Sequence, residues 1–133
     1  MALSAEQRFV AFGAGSGFLA VALGAMGAHA LKDSLEPHGL ELWEIAAKYQ
    51  MYHALALLAV GWQCSRVSSK CATSAGWLFV AGTVLFSGSL YALALTWPRA
   101  QILGAVTPFG GISFMAGWIC LGLAALKKTS RQD

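Results

Sequence analysis

Two histidines, His29 and His53, stand among apolar residues, and the second closes the stretch Tyr49-Gln50-Met51-Tyr52-His53. Imidazoles in such surroundings can ligate a haem iron, carry a proton, or tie helices together through hydrogen bonds. Tyr49 and His53 are four residues apart, so on a helix they share a face. Thr83, Ser87 and Tyr91 repeat at the same interval, and Ser89 and Thr107 add two further hydroxyls in apolar sequence. Serine hydrolysis is a poor fit. Ser87 and Ser89 lie in no strand–turn–helix elbow, and no carboxylate falls within the apolar runs to orient a histidine. Cys64, Cys71 and Cys120 lack CxxC spacing and have no histidine close by in sequence, which argues against zinc. They are expected to be free thiols that pack as small apolar residues. No cofactor is expected; haem held between His29 and His53 is a remote alternative.

The elements that must position these groups follow from runs and breaks. The chain has 133 residues, of which 57% are hydrophobic and 11% charged, against about 25% charged in a typical soluble domain. Nine Lys and Arg against six Asp and Glu give a net charge of +3. The basic residues are dispersed, so no nucleic-acid partner is expected. Helices are predicted at about 9–31, 40–64, 73–97 and 101–126, each long enough to span about 30 Å of hydrocarbon; the first part of the second is amphipathic, with Glu41, Glu44 and Lys48, and it is free of charge only from Tyr49 onward. Pro37 and Gly39, the segment Ser65 to Lys70, and Pro98 with Arg99 separate them. The expectation is one all-α domain over residues 1–133: an integral membrane bundle of four transmembrane helices whose main partner is the lipid bilayer. Ala28-His29-Ala30 matches a signal-peptidase pattern, but the preceding apolar run is long for a signal sequence and is read as a span. Arg8, Arg66, Lys70, Lys127, Lys128 and Arg131 fall on one side, and Lys32, Lys48 and Arg99 on the other. The positive-inside rule then places both termini in the cytoplasm.

Small residues at Gly13, Gly17, Ala20, Gly24 and Gly27 form a seam along the first helix, and Gly110, Ser113 and Gly117 form a shorter one on the fourth. In lipid, close backbone approach replaces the hydrophobic drive between helices. These seams suit packing within the bundle, or between copies in a homo-oligomer. His29, Tyr49, Gln50, His53, Ser87, Ser89, Tyr91 and Thr107 all fall in the outer half of the bilayer. They are expected to satisfy one another as a network that fixes the bundle, or to line a small outward-facing polar pocket. His29 lies about 140° around an ideal helix from Gly24, so it must face a different neighbour from the one that meets the glycines. Trp43 and Tyr52 are expected at the membrane–water boundary, and Glu44 and Lys48 as an i, i+4 ion pair.

The stretches "GAMGAHALK", "YQMYHALALL", "LFSGSLYALAL" and "TPFGGISFMAGW", one per helix and in order, resemble the YgdD-like family of small bacterial membrane proteins. That family is similar to the transmembrane protein 256 group and is classed as a domain of unknown function. The matching positions include His29, Tyr49, Gln50, His53, Ser87, Gly88, Ser89, Tyr91, Thr107, Pro108, Gly110 and Gly111. "TWPRAQ" stands where the family has a Gly-containing loop, and Ala30 where it often has glycine. The resemblance implies a four-helix protein of the bacterial inner membrane and brings no activity with it. The functional expectation is a non-enzymatic structural or accessory component, acting as a homo-oligomer or as a subunit of a membrane assembly. The alternative is a binder or transporter of a small solute or proton that uses the outer cluster.

Overall fold

Local capping chemistry sets where each helix begins. In the computed structural model, which describes residues 2–127, Ser4 and Gln7 form a reciprocal cap. Ser4 Oγ accepts from the Gln7 N–H at 3.1 Å, and Gln7 Oε1 accepts from the Ser4 N–H at 3.0 Å. Helix α1 therefore starts ahead of the apolar run and covers Ala5–Ala28. Helix α2 covers Pro37–Arg66. Pro37 opens this helix instead of breaking it, because the first turn needs no N–H from that position. Ser69 caps α3, Lys70–Gly82. A π-helical segment, Thr83–Gly88, joins α3 to α4, Ser89–Thr96, in one continuous rod. The region expected as a single helix from residue 101 is divided. A 3-10 turn, Gln101–Ala105, precedes α5, Thr107–Ala125. Pro108 lacks an N–H and is tolerated only in a first turn, so α5 begins beside it.

Among the described residues the chain is helical, without strands. Three helices are long and apolar enough to cross a membrane: Ala5–Ala28, Lys70–Thr96 and Gln101–Ala125. Four such spans were expected from the sequence, and α2 does not qualify on composition. At 30 residues it is the longest helix, about 45 Å at 1.5 Å per residue. Its early turns carry Glu41, Glu44 and Lys48, and Gln50, His53 and Gln63 interrupt the remainder. Yet α2 holds more buried residues than any other helix, with Trp43, Gln50, His53, Leu57, Val60 and Gln63 all inside. It contacts each of the other helices. The array runs from α1 to α2, then to the α3–α4 rod, then to α5.

Glycine and phenylalanine set the helix contacts. The α1 seam lies against α2. A Cβ on Gly13 would meet Ala54 O at 2.8 Å, and one on Gly27 would meet the Trp43 ring at 2.6 Å. One on Gly17 would meet Ala54 Cβ at 3.8 Å and Met51 Sδ at 4.0 Å, and one on Gly24 only Ala47 Cβ at 3.9 Å. The two ends of the seam thus require glycine, while its middle has room for alanine. The rod and α5 interlock reciprocally: Phe79 lies over Gly117, and Phe114 over Gly82. Phe9 of α1 reaches across to Gly76. Phe9, Leu57, Val60, Phe79 and Phe114 form the core where these contacts meet.

Candidate functional site

The polar residues singled out from the sequence resolve into three groups. In the first, Gln50 is buried on the α1-facing side of α2. Its Nε2 donates to the Ser16 carbonyl of α1 at 3.2 Å, and its Oε1 accepts from the Tyr91 hydroxyl of α4 at 2.8 Å. The Tyr91 ring meets Trp43 edge-on at 4.6 Å. Trp43 Nε1 donates to the Leu23 carbonyl at 2.7 Å. This group clamps α1, α2 and α4 together.

In the second group, His53 is 4% exposed and lies flat on Phe114, with ring centroids 3.4 Å apart and planes at 4°. Its Nδ1 is 2.7 Å from the Tyr49 carbonyl. A carbonyl can only accept, so Nδ1 carries the proton. Nε2 is then the acceptor for the Trp118 indole N–H at 3.2 Å. The imidazole is held as one neutral tautomer between α2 and α5, with both nitrogens engaged. In the third group, Ser89 and Thr107 hydroxyls lie 2.7 Å apart, and Ser89 also donates to Phe86 O at 3.0 Å. That pair joins α4 to the start of α5.

Three expected positions fall outside these groups or enter them only in part. His29 is exposed at the C-cap of α1 and makes no side-chain hydrogen bond among the described residues. The helix ends there, and its offset from the glycine seam turns it away from α2. His29 and His53 therefore do not meet, and a haem shared between them has no geometric basis. Ser87 is fully buried in the π-helical segment, and its hydroxyl has no partner among the described residues. The wider π turn puts Ser87 out of step with the straight i, i+4 stripe expected of Thr83, Ser87 and Tyr91. Tyr49 contributes its carbonyl, while its ring packs on Phe86 at 4.7 Å and is partly exposed.

Several partners were not anticipated. Trp118, the donor to His53, sits four residues after Phe114 on α5, and that same-face spacing was a usable signal. Trp43, expected at the boundary, is 3% exposed within the chain. The α1 seam leaves a recess there that only a large ring fills. Gln63 donates to Ala124 O at 3.0 Å at the other end of the bundle, and Ser113 to Leu78 O at 2.7 Å. The contact at the start of α2 is His38 with Glu41, at 3.4 Å, and not Glu44 with Lys48. The three cysteines are free thiols. Among the described residues, no three His, Cys, Asp or Glu side chains converge as a metal site.

These features define a class: a small helical membrane protein whose most polar helix holds the most buried residues. The chain belongs to the family described as "Protein of unknown function (DUF423)", whose model matches residues 23–111. It is 49% identical over 119 residues to a UPF0382 membrane protein of Staphylococcus epidermidis, covering 90% of this chain and 95% of that relative. It is 46% identical over 120 residues to the UPF0382 membrane protein YwdK of Bacillus subtilis, covering 90% of this chain and 96% of that relative. No solved structure matches. The family match takes in Trp43, Gln50, His53, Ser89, Tyr91 and Thr107; Ser16, Phe114 and Trp118 lie beyond its ends.

Proposed function

We propose that the chain is a non-enzymatic structural or accessory component of the bacterial inner membrane, working as a homo-oligomer or as a subunit of a membrane assembly. Within its family we place it beside the YgdD-like and transmembrane protein 256 group, on the four quoted motifs. The observation that carries this reading is that the buried polar side chains of α2, Gln50, His53 and Gln63, are used up inside the chain. Gln50 and both nitrogens of His53 are engaged by neighbouring helices. A nucleophile or proton carrier needs a free, accessible group, and a hydrogen-bonded imidazole stacked on a phenyl ring does not offer one. The same closure weighs against the solute or proton transporter.

The proposed protein crosses the membrane four times, with both termini cytoplasmic. α2 lies alongside α1 from Gly61 against Val10 to Trp43 against Gly27, so whatever depth α1 spans, α2 spans too. Gln50, His53 and Gln63 turn inward, which reconciles the charge-free part of this low-hydropathy helix with a lipid surrounding. Arg8, Arg66, Lys70 and Lys127 support the cytoplasmic side; Lys128 and Arg131 lie outside the described residues. In α1 only Phe9, Gly13, Ala20 and Gly27 are buried, and in α5 only Gly110, Phe114, Gly117 and Ala124, which leaves broad faces for lipid or a partner.

The test is purification from native membranes in lipid nanodiscs or mild detergent, with the particle mass measured by light scattering and native mass spectrometry. A defined multimer, or a stoichiometric co-purifying protein, is expected. A strictly monomeric species without a partner would refute the proposal.

A further inference from the structure

We propose that the groove between α2 and α5 binds a neutral, membrane-soluble molecule bearing a planar ring with carbonyl or hydroxyl oxygens, of the quinone–quinol class. The groove has a cavity volume of about 690 Å³, within the range of small-molecule sites. It is open on the outer side of the pair. No charged side chain lines it, so a charged occupant would be left without a counter-ion in low dielectric.

Rings dominate its walls: Tyr49, Tyr52, Phe86, Phe114 and Trp118, with the His53 edge beneath them. An ordinary acyl chain gains nothing from such walls that the aliphatic faces elsewhere do not offer. A flat ring gains stacked and edge-on contacts. The polar groups match as well. The Tyr49 and Tyr52 side chains, 39% and 51% exposed, have hydroxyls that make no hydrogen bond among the described residues. Trp118 is half-exposed, and its N–H makes a single 3.2 Å bond to His53. A ring oxygen can share that donor or accept from a phenol, and a ring hydroxyl can donate to a phenol oxygen.

The depth of the groove fits an amphiphile. The charged part of α2 ends at Lys48, so Tyr49 and Tyr52 stand just below it. From Pro108 to Trp118 the α5 wall descends about 15 Å at 1.5 Å per residue, enough for the ring and the start of an apolar tail. Gly111 keeps a slot open in this wall: a Cβ there would meet only Phe86 Cδ2, at 4.0 Å.

The experiment uses the full chain in nanodiscs and an azido-benzoquinone carrying a ten-carbon tail. After illumination, the labelled peptides are mapped by mass spectrometry. Competitors are the same quinone without the azide, and decan-1-ol, which has the tail alone. Saturable labelling of α2 and α5 is expected, displaced by the quinone and not by decanol. Gly111→Leu, which fills the slot, is expected to cut labelling at least tenfold. Ile112→Trp fills the mouth from an exposed position and should act likewise if Gly111→Leu fails to fold. Ala22→Leu on the exposed face of α1 should leave labelling unchanged. Non-saturable labelling, labelling spread over lipid-facing residues, equal competition by decanol, or indifference to both groove-filling variants would overturn the proposal.

Discussion

Replacing Gln50 by leucine keeps an apolar body in the core and removes two interhelical hydrogen bonds, to Ser16 O at 3.2 Å and from Tyr91 at 2.8 Å. Hydrogen bonds between transmembrane helices average about 0.6 kcal/mol, with a maximum near 1.7. The Ser16 carbonyl keeps its bond within α1, so its loss is small. The Tyr91 hydroxyl is part-buried and is left with no partner, which adds a fraction of the ~1–3 kcal/mol penalty for an orphaned polar group. Gln50→Leu should therefore cost about 1.5 kcal/mol, and Tyr91→Phe, which removes only the shorter bond, about 1. The two changes share one bond. The double variant should cost about 1.5–2 kcal/mol instead of the additive ~2.5, a coupling of roughly 0.5–1. Reversible unfolding in mixed micelles, with rising SDS and helicity as the readout, measures all four corners of the cycle. Additivity within about 0.3 kcal/mol would refute the Gln50–Tyr91 bond and with it the clamp across α1, α2 and α4.

Glycine substitutions should separate contact from exposure. Gly117→Val puts a Cβ 2.7 Å from Phe79 and should cost ~1–3 kcal/mol by overpacking in the same unfolding assay. Gly15→Ala meets nothing within 4 Å and should be neutral or stabilise by up to ~0.8 kcal/mol through helix propensity. The His53 geometry is testable by ¹⁵N NMR of labelled imidazole. Nδ1 should carry the proton and Nε2 should show an acceptor shift, and Trp118→Phe should change the Nε2 signal while leaving Nδ1 in place.

Much of this organisation was legible because lipid leaves a simple signature. Charge-free runs marked α1, the α3–α4 rod and the α5 region, and the spacing from Gly13 to Gly27 marked the face that meets α2. Helix ends were less legible, because they depend on caps. Ser4 with Gln7 extended α1, and Pro37, read as a separator of helices, instead opens α2, as Pro108 marks the first turn of α5. Within the candidate site, the sequence offered depth but not azimuth. Gln50, His53 and Tyr91 share a level, yet Gln50 turns toward α1 and Tyr91 of α4 while His53 faces α5. Only tertiary packing decides such a division. The π turn at Thr83–Gly88 rotates everything after it, and no residue type announces it. Trp43 was expected at the boundary and Trp118 was given no role; each is a hydrogen-bond donor whose acceptor lies on another helix.

The central claim is that α2, too polar to be recognised as a span, nonetheless crosses the membrane as the core of the bundle. Single cysteines at Asp33, Ser68 and Arg99, in a background with Cys64, Cys71 and Cys120 replaced, would be probed in intact cells with a membrane-impermeant maleimide. Labelling at positions 33 and 99 from outside, with position 68 reached only after permeabilisation, is the predicted result. Labelling of positions 33 and 68 from the same side would mean that α2 does not cross, and would contradict the account.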